Sequence, residues 1–382
     1  MSTTDPDTLW LFIGNPENRR CEFFLAALST HSQRHIISYQ QLLAADDIAG
    51  MLIAQLAPFQ FSRLNIKIDS AGENFAVEKA LLCQVNLPRY QALVDDKGRF
   101  AHLHDWFNGF SALLIRLENA LLEVLLQRQL PRDSLHYLNT PAAITLMTDK
   151  LACQRHLLRC GVAVPALLPQ MQSFSQLVAY MMQQRCFQVF IKTRFGSSAS
   201  GVVALRLSPR GQMVARTSLE LVTDGTAYSF YNSLKIRTYQ HPDQIALLFD
   251  AIIAQQGYVE RWQPKPVLQG KHFDLRIVVL GGKAMHYIAR CSSSPMTNLH
   301  LGNCRGDILQ LENGPQLLAQ AKQVAEQAAA CIPGAGCIGA DVICAAKGAK
   351  VIELNAFGDL LPNVLHQGLS SYEAQVRLMS CC

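Results

Sequence analysis

The chain predicts a mixed α/β fold (α+β in its larger part), with a small α/β unit ahead of a longer, strand-rich domain. Three observations lead there. The opening LWLFIGNP reads as a strand that breaks at Gly14-Asn15-Pro16, with helical spacing from Glu17 to Leu28 and a second short strand at Ile36-Ile37-Ser38-Tyr39. Residues 103–130 carry a long apolar stripe at helical spacing, which suits a core helix. From about 186 onward strand patterns dominate, with helices near 242–256 and 315–331.

A length of 382 residues suggests two or three domains, and 49% hydrophobic against 16% charged residues excludes a disordered chain. The net charge of +5 is spread without a basic run, so nothing signals nucleic-acid binding, although the balance suits an anionic ligand such as a nucleotide. Twelve cysteines lie at irregular spacing without a C-x-x-C pair, which points to reduced thiols in a cytoplasm rather than to a disulfide framework or a zinc site. The acidic start MSTTDPDTLW is unlike a signal peptide, and no apolar run reaches the roughly 18 residues of a spanning helix. A soluble, cytoplasmic protein without a membrane partner is expected.

The βαβ opening places a loop at a strand's C-terminal end, where such sheets bind ligands, but Gly14 stands alone and the dinucleotide glycine pattern is absent. Pro131 and the polar DSLHYLNT mark a boundary near 139, giving domains 1–138 and 139–382. A helix restarts with Thr140 as N-cap and Pro141 at its first position, and runs through Asp149-Lys150 towards Gly161.

Three stretches carry chemistry. In AKVIELNAFGD the strand residues Val351, Ile352 and Leu354 alternate with Glu353 and Asn355. The upstream strand GCIGADVICA joins it through Ala346-Lys347-Gly348, and a three-residue loop there pairs 345 with 349 and so Asp341 with Glu353. Two like-charged carboxylates and Asn355 on one face need a cation, and Mg²⁺ shared with phosphates fits (Mn²⁺ being the other candidate); a buried Glu paired with an Arg is the plainer alternative. In VFIKTRFGSSASGVVAL a strand ends at Lys192 and another resumes at Val202. Gly196, Ser197, Ser198 and Gly201 between them offer donors to phosphate, or else form a plain flexible hairpin. Val202-Val203 stand where a Walker A motif needs Lys-Ser/Thr, which excludes that motif. In HFDLRIVVLGGKAMHYIAR a three-residue loop Gly281-Gly282-Lys283 puts Asp274 opposite Arg290, with Arg276 on the same face. A two-residue loop turns Arg290 away. Two arginines on an apolar hairpin suit a phosphoryl group, and a solvated Asp–Arg pair is the alternative.

These blocks, in this order over roughly 139–375, resemble the ATP-grasp superfamily, in particular the ribosomal-protein glutamate ligases and glutathione synthetases. The resemblance implies an ATP-grasp fold preceded by a small Rossmann-like domain, with a lid subdomain at about 165–260. It implies that Lys150 and Lys192 hold the triphosphate of ATP under the GSSASG lid. Glu260-Arg261-Trp262 is similar to the hinge that reads adenine, Asp274 to a ribose-binding acid, and Asn298 to an ATP-site asparagine. Asp341, Glu353 and Asn355 match the metal-binding triad, and Arg276 and Arg290 the cations on the transferred phosphoryl group. Two departures stand out: Thr193 replaces the proline that commonly follows the lid lysine, and AFGDLLP replaces the small, proline-bearing turn after the triad.

The implied activity is an ADP-forming ligation of a small-molecule or peptide carboxylate to an amine or thiol through an acyl phosphate. A kinase using the same site, or a silent nucleotide-binding module, are the other two possibilities.

Overall fold

The computed structural model describes residues 7–196, 200–225, 227–345, 348–358 and 361–380; Ser197 and Ser198 of the expected lid lie outside the described residues. β1 (Thr8–Gly14), β2 (Gln33–Ser38), β3 (Arg63–Ile68) and β4 (Leu135–Tyr137) form a parallel sheet in the order β2-β1-β3-β4. β1 is buried along its whole length, as a central parallel strand covered on both faces must be. The chain leaves β1 for β2 on one side and returns to β3 on the other. The C-terminal ends of β1 and β3, where Asn15 and Asp69 follow, therefore flank the point where strand order reverses. The helix Leu103–Gln127 packs along this unit through Phe110, Leu113, Leu117 and Leu121.

The single helix expected from Thr140 to Gly161 is two helices, Pro141–Thr148 and Lys150–Arg159. Asp149 leaves helical geometry (φ −87°, ψ 88°) and its carboxylate accepts from Ala152 N at 3.0 Å. An aspartate gains more as an N-cap than inside a helix, so the chain breaks there.

β5 (Gln188–Lys192), β6 (Val202–Leu207), β7 (Met213–Asp224), β8 (Ala227–Tyr239) and β9 (Tyr258–Arg261) form a second, antiparallel sheet ordered β8-β7-β6-β5-β9. Its own apolar cluster includes Val189, Ile191, Val203 and Leu205, with Leu248 and Phe249 from the helix Pro242–Ala254. The third sheet holds β10 (Val267–Leu268), β11 (Lys271–Leu280), β12 (Lys283–Ser292), β13 (Cys304–Gly306), β14 (Cys337–Ala345) and β15 (Gly348–Asn355), ordered β13-β12-β11-β14-β15 with β10 beside β11. One face of β11 (Phe273, Leu275, Ile277, Val279) shares the main core with the helix Gly314–Ala330. On the other face, Val278 and Leu280 join a cluster with Phe12, Phe24 and Tyr372, while Asp274 and Arg276 leave the upper half charged.

Of the two hairpin turns in this sheet, one takes the shorter of the two loops considered and the other differs from expectation. Leu280 pairs with Lys283 over Gly281-Gly282, both at positive φ, and Ala345 pairs with Gly348, so each connection is two residues, not three. Alone, that would flip the next residues to the wrong face. A β-bulge in each hairpin reverses the flip: Val279 pairs with Ala284 but Val278 with His286, and Val342 pairs with Val351 but Asp341 with Glu353. Met285 and Ile352 are the extra residues. Asp274 faces Arg290 and Asp341 faces Glu353 after all, by a different route.

Among the described residues no helix is long and apolar enough to cross a membrane, and the cysteines are free.

Candidate active site

The charged half of the third sheet is a ladder of ion pairs set by register. Arg276 sits opposite Asp341 across β11 and β14, and its guanidinium donates from Nε to Asp341 Oδ1 and from Nη2 to Oδ2 at 3.3 Å. Arg290 reaches two carboxylates: Nη2 lies 3.0 Å from Asp341 Oδ2, and Nε donates to Asp274 Oδ1 at 2.8 Å. Lys265 Nζ donates to Asp274 Oδ2 at 3.0 Å and to Thr297 Oγ1 at 2.7 Å, and the Thr297 hydroxyl in turn donates to Asp274. Asp274 is only 1% exposed, and burial by itself would raise its carboxyl; Arg290 and then Lys265 outweigh that and hold it well below the usual carboxylate range. Asp341 follows the same pattern, burial opposed by Arg276 and Arg290. Burial likewise pulls Arg290 down, and Asp274 and Asp341 more than reverse it.

Asp274 is the residue that the resemblance assigns to ribose. Both its oxygens are engaged in holding Arg290 and Lys265, with little left exposed for a sugar hydroxyl.

Lys150, first residue of its helix, places Nζ 3.4 Å from Glu353 Oε1 on β15. Lys192, last residue of β5, places Nζ 2.5 Å from Glu260 Oε1 on β9. Glu260 is 1% exposed, and its other oxygen accepts from the Gln154 amide at 3.2 Å. In the expected adenine hinge the Glu260 side chain turns inward as counter-ion to Lys192. The next two N–H groups are engaged, Arg261 to Ala166 O at 2.8 Å and Trp262 to Gln188 O at 3.2 Å. The Trp262 ring leans on Phe190 (centroids 4.8 Å apart) with the Arg206 guanidinium over it. Lys150, Gln154 and Glu353 line one cleft whose walls are Met147, Val164 and Ile352. Tyr258 lies near both lysine pairs, its hydroxyl pushed up first by burial, then by Glu260 and Glu353.

The root of the lid is anchored on three sides. Lys192 pairs directly with Val202. Arg194 grips Asp149 with Nε and Nη2 at 2.7 and 2.6 Å, and Phe195 stacks on Phe107 with centroids 4.3 Å apart. Thr193 N donates to Gly201 O at 3.0 Å, which explains the departure at this position: proline has no hydrogen to close the base of the lid this way. Asn298 directly follows Thr297, and its side chain accepts from His300 N at 3.0 Å at the start of a short helical turn.

Asp341, Glu353 and Asn355 share one face of β14 and β15, and Asn355 Nδ2 donates to Gly339 O at 3.1 Å, which fixes how its amide is turned. Among the described residues no group of three His, Cys, Asp or Glu side chains forms a metal cluster. Two carboxylates and an amide are what remains, an all-oxygen set that fits Mg²⁺ when phosphate oxygens complete its shell. Register alone brings together Arg276, Arg290, Asp274, Asp341 and Glu353. Gln154, Lys265, Thr297 and the Asp149–Arg194 pair were not legible beforehand, since each earns its place from a partner far along the chain. Only Asp149, in a helix with a possible cap, carried a local signal.

This fold coincides with that of known ligases in overall shape. The ATP-grasp ligase PsnB, solved with a phosphomimetic variant of its minimal precursor, Mg and ADP, matches with a TM-score of 0.53 at 14% identity, over 98% of this chain and 99% of that one. The D-cycloserine synthetase DcsG matches with a TM-score of 0.54 at 11% identity, over 97% and 98%. A D-alanine–D-alanine ligase from Bacillus anthracis matches with a TM-score of 0.51 at 10% identity, over 97% and 95%. No protein-family model and no curated protein sequence matches the chain. The chain has the fold of the ATP-grasp ligases along nearly its whole length.

Proposed function

We propose that the protein is an ATP- and Mg²⁺-dependent, ADP-forming ligase that joins a carboxylate to an amine or thiol. One observation carries the reading: each cation expected on phosphate rests on a carboxylate. Lys150 is on Glu353, Lys192 on Glu260, and Arg276 and Arg290 on Asp341. Cations so close to phosphate-free carboxylates need a replacement anion to leave them, and carboxylates so released need a cation. The magnesium salt of ATP brings both at once, so Lys150 and the two arginines can pass to phosphate while Glu353 and Asp341 pass to Mg²⁺, and Lys192 can hold phosphate while still beside Glu260.

Mg²⁺, held by Asp341, Glu353 and Asn355, would supply neutralising charge to the phosphates. Lys150 and Lys192 would then hold the triphosphate and the lid over it would exclude water. Arg276, and Arg290 steadied by Asp274, would stabilise charge developing on the transferred phosphoryl group. The substrate carboxylate attacks the γ-phosphorus, the bond to the β-phosphate oxygen breaks and ADP leaves. The amine or thiol then attacks the acyl carbon, loses its proton, and expels phosphate. Neither step needs an enzyme nucleophile. The ligases that share the fold were solved with a precursor peptide or are named for D-alanine and D-cycloserine, which supports a peptide or amino-acid carboxylate as substrate.

Incubation with ATP, Mg²⁺, hydroxylamine and pools of carboxylates tests this. Hydroxamate together with ADP is the expected product, from the wild type and not from Glu353→Gln. ADP with a stable phosphate ester and no hydroxamate would identify a kinase instead.

A further inference from the structure

Two cysteines meet on the side of the main core away from the lid. The helix Lys150–Arg159 ends at Cys160 and the helix Gly314–Ala330 ends at Cys331, each cysteine serving as its helix's C-cap. His156 touches both: its Nε2 is 2.7 Å from the Cys331 carbonyl oxygen and 3.7 Å from Cys160 Sγ. A carbonyl only accepts, so Nε2 carries the hydrogen and presents it to the Cys160 sulfur as well. Cys160 is exposed and Cys331 half-buried, whereas Cys21, Cys153, Cys186, Cys337 and Cys344 are buried. His156 Nε2 thus sits between the Cys160 sulfur and the Cys331 carbonyl, and burial, followed by a hydrogen bond with the Cys160 thiol, raises the Cys331 thiol.

We propose that Cys160 and Cys331 form a redox-modification site, oxidised by a hydroperoxide to a disulfide that ties the two helix ends together. The Cys160 thiolate attacks a peroxide oxygen, the O–O bond breaks, and hydroxide or alkoxide leaves to give a sulfenic acid. The Cys331 thiolate then attacks that sulfur, the S–O bond breaks with uptake of a proton, and water leaves as the S–S bond forms. The two thiols lose two electrons and the peroxide gains them. The bond links two supports of the active site. The first helix begins at Lys150 on Glu353, and its N-cap Asp149 holds Arg194 at the lid root. The second helix packs behind β14 and β15, which carry Asp341 and Glu353. The inference stands apart from the ligase reading, because the cross-link can be read whether or not ligation occurs.

The test treats the full chain with graded hydrogen peroxide, alkylates it, and maps the peptides by mass spectrometry. The peptides containing Cys160 and Cys331 are expected joined, two hydrogens lighter, and separated by dithiothreitol. The joining should precede modification of the exposed Cys304, whose register partner Cys291 is buried. Cys160→Ser should abolish the cross-link, and Cys331→Ser should leave Cys160 as a sulfenic acid trapped by dimedone. Amide exchange across 150–159 should slow severalfold in the cross-linked protein and stay unchanged in peroxide-treated Cys160→Ser. Sulfinic acid at Cys160 beside a free Cys331, a cross-link from Cys160 to any other cysteine, or unaltered exchange in the cross-linked form would each overturn the proposal.

Discussion

Glu260 depends on Lys192 at 2.5 Å and on the Gln154 amide for its buried charge, so removing Lys192 alone leaves a carboxylate stranded. Lys192→Met is expected to cost about 3–5 kcal/mol of stability by denaturant unfolding, in addition to weakening nucleotide binding. Lys192→Met with Glu260→Gln should recover most of the stability and none of the ADP affinity. Recovery of both would make the pair purely structural. Asp274 gives a prediction in pH. Its carboxyl is depressed in the fold, so the unfolded chain binds that proton first. The stability it contributes is present above the unfolded value of about 3.9 and is lost as pH falls below it. Asp274→Asn should therefore flatten the acid limb of thermal unfolding below about pH 4 while lowering stability near neutrality. An acid limb as steep as the wild type's would show that other carboxyls set it. At Glu353, the glutamine variant should keep the fold and lose Mg²⁺-dependent ADP release by ~10² or more, as when one charge-stabilising group is removed.

The two bulges decide which side chains reach the site. Deleting Ile352 should leave a uniform hairpin in which Glu353 follows Val351 directly and still faces Asp341. Retained Mg²⁺-ADP binding by calorimetry in a folded protein is the expected result, since register and not the bulge itself places Glu353; its loss would contradict that. Much of this site was legible before the structure, because hairpin register is written in alternation: Asp274 with Arg290 and Asp341 with Glu353 follow from strand pairing. The turn lengths were not, since one missing loop residue and one inserted strand residue cancel at the site. The spacing of three between buried Val351 and Leu354, where a regular strand gives two, was the available sign of the bulge. The role of Glu260 was hidden because Lys192 lies on another strand, whereas the helix break had a local sign in Asp149, a good N-cap residue inside an otherwise continuous helical pattern. Gly201 is legible in hindsight: at φ +65° an added Cβ would meet Thr193 Cγ2 at 2.3 Å and Phe100 Cε2 at 2.6 Å. Gly201→Ala should lower the melting temperature, and an unchanged value would mean that the lid base shifts freely.

Across the whole molecule, the N-terminal unit touches the site from two directions. Arg20 Nη1 donates to Phe357 O at 3.0 Å, in the turn just after Asn355. Residues 98–100 run along β8, with Phe100 N to Phe230 O at 2.8 Å and Asn232 N to Gly98 O at 2.7 Å. The root of the lid is thus pinned while its tip carries two glycines and small hydroxyl residues. Nucleotide with Mg²⁺ should bring new hydrogen-exchange protection across 195–202 and little across 259–262, which is already bonded to Ala166 and Gln188. Titration calorimetry of the ATP analogue AMPPNP, with and without Mg²⁺, into the wild type and into Asp341→Asn/Glu353→Gln bears most directly on the proposed reaction. Binding to the wild type that requires Mg²⁺, and its loss in a variant that remains folded, is the expected result. Equal affinity with and without Mg²⁺, or no binding of the analogue by the wild type, would contradict it.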